Sequence, residues 1–326
     1  MAAIPAEETW LNWIWTTSRH FVEVTDIPEF AVISNRRAGS NTMAAENAVL
    51  AALKPLDPVL IQTEHSGHAT VISRSLPEGS WIVVLGGDGT INEVANGIMG
   101  SDKVLVPFLG GTGSDYLKST GKLSADSIIS AFHSGRFALL DCVKTTFSGS
   151  ERYFANIMEI GFGAGVMKRV NSLARRKGNP FTSSVMRELP GLKSYNLQIE
   201  SVQFTGAVRS IEMVIANGRF FGGGMLASPD SVLDDGLLDI HLIKKISRTR
   251  LIMSFGKLGA GRYVDMNSVI NFRTDRLKVA GDPAPVEADG EFLGYTPISI
   301  EIVPRSIRVL TAESVGKPES SRNADA

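Results

Sequence analysis

A single cysteine, Cys142, in 326 residues excludes an internal disulfide and any thiolate-rich metal cage, and it fits a reducing, cytoplasmic setting. Neither sign of charge is in excess: 33 Lys and Arg against 34 Asp and Glu give a formal net charge of −1, which supplies no electrostatic reason to expect nucleic acid as a partner. No uninterrupted apolar stretch approaches the ~18 residues that a bilayer crossing needs. Glu7 and Glu8 stand where a signal peptide would carry basic residues. The sequence G-x-x-x-x-G-K-[ST] is missing, as is the protein-kinase motif set, so a nucleotide would have to be held in another way. His65 and His68 have helical spacing, but no third metal ligand is evident near them.

What is present is an ordinary globular composition, 43% hydrophobic and 21% charged. The length is about twice that of one usual domain, which predicts two packed units. Residues 30–34, 42–53, 81–85, 91–99 and 104–109 alternate strand-like with helix-like patterns, as in a parallel sheet covered by helices. From residue 139 the texture becomes β-rich, with alternation over 153–160, 197–204, 208–216, 237–243, 276–280 and 298–303. That spacing predicts an antiparallel sandwich or barrel, with one helix over 247–258 among its strands. The expected division is an extension at 1–24, an α/β domain at 25–138, a β-sandwich domain at 139–304, a final strand at 305–312 that can return to the first domain, and a disordered tail at 313–326. In the extension, Trp10, Trp13, Ile14 and Phe21 fall roughly on one helical face. That face would pack on the domain or on a second copy in a homodimer, with membrane docking as the alternative.

Leu85-Gly86-Gly87-Asp88-Gly89-Thr90 joins a buried strand to a helix. Its glycines would permit positive φ and let phosphate oxygens approach the backbone amides at a helix N-terminus. The plainer alternative is a tight turn with Thr90 and Glu93 as a capping box, which leaves Asp88 unexplained. A carboxylate among phosphates is costly unless a cation or a proton transfer uses it, so Asp88 is expected to be magnesium-linked or catalytic. A second segment, Gly110-Gly111-Thr112-Gly113-Ser114-Asp115, follows another strand, and Asn35-Arg36-Arg37-Ala38-Gly39-Ser40 follows a third. Ligands of open α/β sheets bind outside the carboxyl ends of the strands, where the three loops could surround one nucleotide. Arg36 and Arg37 would add positive charge there, or be solvated.

In order, Asn35 to Ser40, Thr63 with Gly67-His68-Ala69, Gly86 to Gly97, Gly111 to Asp115, Asn156 with Gly161-Phe162-Gly163, Gly222 to Asp239 and Asp289-Gly290-Glu291 resemble the diacylglycerol kinase catalytic-domain superfamily, which includes soluble bacterial-type lipid kinases and sphingosine and ceramide kinases. The resemblance implies an N-terminal nucleotide domain like that of NAD kinase and diacylglycerol kinase, a C-terminal β-sandwich, and a cleft between them for transfer from ATP to a lipid hydroxyl. It implies an ATP site at Asn35, Arg36, Arg37, Ala38, Gly39, Thr63, Gly86, Gly87, Asp88, Gly89, Thr90, Asn92 and Thr112, with Glu93 beside them. Asp88 and Asp115 would serve the phosphates and Mg2+. In the segment 229–237 it implies a structural magnesium loop, with the Asp235 carboxylate and the carbonyls of Val232 and Leu237 as ligands; a β-turn with acidic surface residues is the alternative. Asp289-Gly290 by itself reads as a hairpin turn, whereas the family implies a carboxylate that takes the hydroxyl proton, Glu291 first and Asp289 second. A lipid acceptor implies transient peripheral contact with a membrane surface, for which Lys168, Arg169, Arg175, Arg176 and Lys177 are candidates beside a solvated helix face.

Arg36 in place of a usual proline, Leu109 near another, and Ser114 in place of an asparagine depart from the family pattern and bear on the acceptor or nucleotide preference. Two other functions fit parts of the sequence. NAD kinases share a Gly-Gly-Asp-Gly turn and a nearby Asn-Glu pair, here Asn92-Glu93. A catalytically silent lipid- or nucleotide-binding protein would fit the departures, though not the retained carboxylates.

Overall fold

In the computed structural model the described residues are 13–15, 21–23, 29–36, 43–109, 114–172, 187–247, 249–251, 257 and 260–312. Strands β1 (Trp13–Trp15) and β2 (Phe21–Glu23) form an antiparallel pair of their own, with Ile14 opposite Val22. The helical face expected for Trp13, Ile14 and Phe21 is therefore not formed. Aromatic and β-branched residues in Trp-Ile-Trp and Phe-Val favour extended pairing instead. Trp10 and the tail after residue 312 lie outside the described residues.

The α/β half runs β3 (Phe30–Ser34), α1 (Met43–Ala52), β4 (Val59–Gln62), α2 (His68–Ser75), β5 (Trp81–Gly86), α3 (Asp88–Ile98), β6 (Val104–Leu109), α4 (Asp115–Thr120) and α5 (Ala125–Ser134). Its strands lie in the order β4-β3-β5-β6, all parallel. Alternate residues feed two cores. Ala31, Ile33, Ile82, Val84 and Leu105 pack with Ile91, Val94 and Ile98 of α3. Phe30, Val32, Trp81, Val83 and Val106 pack with Ile128 and Ala131 of α5 on the opposite face. Burial on both faces is why these strands read as continuous apolar runs.

The second half runs β7 (Ala138–Phe147), β8 (Ser150–Phe154), β9 (Ile157–Gly161), α6 (Phe162–Ser172), β10 (Tyr195–Ser201), β11 (Thr205–Ala216), β12 (Phe220–Phe221), β13 (Met225–Leu226), β14 (Leu238–Lys244), β15 (Val269–Thr274), β16 (Arg276–Gly281), β17 (Pro285–Ala288), β18 (Glu291–Tyr295) and β19 (Ile298–Val309). It is antiparallel within itself, around a core that includes Phe154, Met158, Ile199, Met213, Ile240, Val279 and Ile300. The strand expected over 153–160 is broken at Ala155-Asn156. Both amides are taken by the Asp289 carboxylate, at 2.9 and 3.2 Å, and so leave the ladder. The helix expected over 247–258 falls mostly outside the described residues.

β19 joins the halves. Its first residues pair with β16 and β7, and its last two run parallel to β6, with Arg308 opposite Val104 and Val309 opposite Leu105. The parallel and antiparallel regions thus share one hydrogen-bonded sheet, joined where the end of β19 meets the first residues of β6. Among the described residues no helix is long and apolar enough to cross a membrane.

Candidate active site between the two domains

At the end of β5 none of Gly86, Gly87 and Gly89 adopts the positive φ expected of them. Space, not backbone strain, demands Gly86: a Cβ there would lie 2.6 Å from both Cβ and Oγ1 of Thr90. The capping box is not formed either. Glu93 accepts from the Gly67 and Ala69 amides (2.8 and 3.1 Å) and so satisfies the N-terminus of α2 rather than that of its own helix. Thr90 Oγ1 instead accepts from Asn35 Nδ2 at 3.0 Å, which ties the end of β3 to α3.

Asp88, the first residue of α3, does not face an uncompensated anion site. Its carboxylate accepts from Ser114 Oγ (2.7 Å), Asp115 N (3.0 Å) and Tyr116 N (3.1 Å) and thereby caps α4. The helix N-terminus supplies the favourable positive end for which the sequence reading required a cation or a proton. Ser114, the departure from the family pattern, is both the N-cap of α4 and a donor to Asp88. Asp115 turns toward the other domain, where Gly223 N donates to its Oδ2 at 2.8 Å. Its Oδ1 is buried without a hydrogen bond, and Lys118 Nζ stands 3.7 Å away. Burial, with the Asp88 charge adding to it, raises the Asp115 carboxyl above the usual carboxylate range, although the Gly223 amide pulls the other way.

From the second domain, Asp289 and Gly290 form the two-residue turn between β17 and β18, both with positive φ. Asp289 is held from both sides of the cleft. Oδ2 accepts from Asn92 Nδ2 of α3 and from Ala155 N, each at 2.9 Å, and Oδ1 accepts from Asn156 N (3.2 Å) and Ile157 N (3.0 Å). Burial pushes this carboxyl up to about 6 despite the three amides that favour its ionised form. One turn further along α3, Asn96 Nδ2 donates to the Tyr153 carbonyl (2.8 Å) and Asn96 Oδ1 accepts from its amide (3.0 Å), a second bridge between the domains. Spacing of Asn92 and Asn96 by four on one helix was the legible signal for these bridges, and it is absent from the sequence reading.

These groups enclose a cleft of about 800 Å³ that Asp88, Gly89, Asn92, Glu93, Asp115, Asp289 and Glu291 all line. Glu291 opens β18 as an exposed residue, and no described donor holds its carboxylate. Other expected ATP-site residues do not line this cleft: Asn35, Thr63, Gly86, Gly87 and Thr90 gather at the ends of β3, β4 and β5. Arg36 is committed to the buried Glu46 of α1 (Nε to Oε2, 2.8 Å) rather than open to a phosphate. Arg37, Ala38, Gly39 and Thr112 lie outside the described residues.

The two expected metal positions differ in fit. At the cleft, the orphaned Asp115 Oδ1 suits Mg2+, which takes one or two carboxylates and completes its shell with phosphates and water. Among the described residues no three Asp, Glu, His or Cys converge as a cage. The loop holding Val232, Asp235 and Leu237 does not fit a metal. Asp235 pairs with the Arg273 guanidinium and accepts from its own neighbour Leu237 N at 3.0 Å, while Arg273 Nε also reaches Asp239 at 3.1 Å. A protein cation already supplies the positive charge there.

Sequence reading also missed three glutamates beside the cleft. Glu159 and Glu287 face each other across β9 and β17, and Glu212 lies on adjacent β11. All three are buried. Strand alternation around Glu159 and Glu287 offered a signal, since acidic residues at inward positions of apolar strands are rare without a partner.

Similarity to known proteins agrees with this geometry. The family description "Diacylglycerol kinase catalytic domain" matches residues 29–144, and "YegS C-terminal NAD kinase beta sandwich-like domain" matches residues 156–311. A diacylglycerol kinase of Mycobacterium tuberculosis is 27% identical over 238 residues, which cover 70% of this chain and 76% of that one. The crystal structure of a diacylglycerol kinase from Bacillus anthracis superposes with a TM-score of 0.64 at 19% identity, covering 88% of this chain and 98% of the other. An NAD kinase from Archaeoglobus fulgidus in complex with ATP shares the fold at a TM-score of 0.52 and 13% identity, over 87% and 94% of the two chains. With both domain types matched in sequence order and the acidic cleft formed where they meet, the chain belongs to the diacylglycerol kinase catalytic-domain superfamily.

Proposed function

We propose that this chain transfers the γ-phosphoryl group of ATP to a hydroxyl of a lipid such as a diacylglycerol or a sphingoid-type lipid, met by transient contact with a membrane surface. The observation that carries the reading is the pairing across one cleft of Asp88 and Asp115, from the α/β domain, with Asp289 and Glu291 from the turn of the second domain. ATP would bring the phosphoryl group, and Mg2+ would neutralise charge on its oxygens.

Within this scheme Glu291 and Asp289 divide the work. A carboxylate offers about four lone-pair sites, and those of Asp289 are taken by four donors. Asp289 is therefore a positioning residue that locks the turn to α3. Glu291, exposed on the wall of the cleft, has lone pairs free to take the proton of the lipid hydroxyl as its oxygen attacks phosphorus and ADP leaves. Asp115, through its unpartnered Oδ1, would hold the magnesium and phosphate side, and Asp88 would position it by accepting from the Asp115 amide.

Transfer of labelled γ-phosphate to a lipid extract, with NAD as the acceptor in a parallel reaction, tests the proposal. Labelled lipid is expected; label on NAD alone, or on neither, would overturn it. Glu291→Gln should lower kcat about 10²- to 10⁴-fold with an unchanged melting temperature, the range lost with a general base. Because Asp289 must be ionised to accept four donors, kcat/KM should fall as pH drops through about 6. Asp289→Asn should flatten that limb of the profile.

A further inference from the structure

Beside the turn that carries Asp289 and Glu291 lie two buried carboxyl groups that the proposed transfer leaves without a task. Glu287 of β17 and Glu159 of β9 are direct cross-strand neighbours, each 4% exposed, and they share a hydrogen bond. An ionised carboxylate only accepts, so a bond between two carboxyl groups requires a proton on one of them. Glu287 is the holder. Burial, with the charges of Glu159 and Asp289 adding to it, pushes its carboxyl well above the usual range, whereas burial takes Glu159 to about 7. Glu287 therefore donates to Glu159 while its Oε2 accepts from Gly290 N at 2.9 Å. Glu159 is closely packed in turn, since a Cβ on Gly163 of α6 would stand 2.4 Å from its Oε1.

The bond to Gly290 falls where the turn needs one. The two central residues of a hairpin turn lie outside the strand ladder, and their amides require partners of their own. Asp289 N finds the Ile157 carbonyl at 2.9 Å, and the Asp289 carboxylate gathers Asn92, Ala155, Asn156 and Ile157. Those bonds fix the first half of the turn to β9 and α3. Gly290, the second half, leads directly into Glu291, and its amide is held by Glu287. A line of contacts thus runs from Gly163 through Glu159 and Glu287 to the residue next to Glu291.

We propose that Glu287, with Glu159 behind it, is a positioning residue for the phosphoryl transfer: their shared proton holds the Gly290 half of the turn on β9 and so sets where the Glu291 carboxylate stands in the cleft. This rests on the lipid-kinase reading above and adds a group that acts through Gly290. The described titratable groups around the pair are Glu212 of β11, Asp289 and Glu291 of the turn and its strand, and Tyr263. Lys168 of α6 is engaged with Tyr295 and Phe292 of β18, and Arg152 is exposed on the cleft wall. No described cation bonds to either glutamate. Loss of the shared proton as pH rises therefore leaves two facing carboxylates that repel, and the hold on Gly290 shifts with them.

Substitutions at 287 separate positioning from stability. Glu287→Met keeps an unbranched side chain of similar length and removes both the proton and the acceptor. In protein shown by its melting curve to be folded, kcat should fall about 10²-fold, the cost of a misplacement of about 1 Å. KM for ATP should stay within about twofold, because the loss is confined to the transition state. Glu287→Gln retains a donor for Glu159 and an acceptor for Gly290 N in a form that does not titrate. It should recover most of the rate lost in the methionine variant, and above pH about 7 it should hold its kcat where the wild type declines. Amide hydrogen exchange at Gly290 should quicken in the methionine variant and return toward the wild-type rate in the glutamine variant. A folded methionine variant with wild-type kcat overturns the inference, as does a glutamine variant no faster than it. Superimposable alkaline profiles of the wild type and the glutamine variant overturn it as well, and they decide the matter if the methionine variant does not fold. Absence of labelled lipid with the wild-type enzyme defeats the kinase reading instead, and Gly290 exchange then still tests the hold of Glu287 on the turn.

Discussion

Gly86 illustrates how one residue serves the site through what it lacks. Its missing Cβ lets Thr90 approach the end of β5, and Thr90 in turn receives Asn35 from β3. Gly86→Ala forces about one methyl group into that gap, and overpacking of this kind costs about 1–3 kcal/mol. A lowered melting temperature together with a raised KM for ATP is expected, since the two strand ends can then no longer meet α3 in the same register. A substitution that left both unchanged would show the contact to be loose. Asp88 teaches the complementary point. Its chemistry in the sequence suggested a metal or a proton, yet its immediate partners are the amides of another helix, because a carboxylate satisfies a helix N-terminus as readily as it does a cation.

At the scale of elements, α3 is the organiser. From one helix, Glu93 caps α2, Asn92 holds Asp289, and Asn96 clasps Tyr153. A periodic pattern reveals such a helix, but not which of its polar residues will meet partners 24 to 197 positions away. The sheet face of β17, β9 and β11 carries the opposite arrangement, acidic groups gathered without compensation, and this has a consequence for stability. The Glu212 carboxyl is held well above its usual range, by burial first and by Glu159 second. A raised folded value means that the neutral form contributes fully at low pH. That contribution is lost as pH rises, because the unfolded chain gives up its proton first. Glu212→Gln should therefore raise the melting temperature at pH 8 and change it little at pH 5, measured by thermal denaturation in matched buffers; equal effects at both would exclude a titrating origin.

For the whole molecule, β19 is decisive: a single strand hydrogen-bonds to β16, β7 and β6 and so makes the two domains one sheet. The loop that the family resemblance marked for magnesium lies in the same region, braced from within. Gly236 N and Arg305 N both donate to Asp141, at 2.8 and 2.7 Å, and Arg273 holds Asp235 and Asp239. The melting temperature of the free protein should thus be insensitive to EDTA and fall on Arg273→Ala; a drop on chelation alone would restore the metal. Hydrophobic alternation and loop chemistry in the sequence determined the α/β half, the antiparallel half and the acidic and glycine-rich segments of the cleft, because those signals are local and repeat at the period of each element. Only the tertiary structure decided that Asp88 caps α4, that Arg36 and Asp235 are answered by side chains of the chain itself, and that Glu159, Glu212 and Glu287 share one face beside the cleft. Each of these depends on which distant groups pack together, and electrostatic partnership through space leaves no period in the chain.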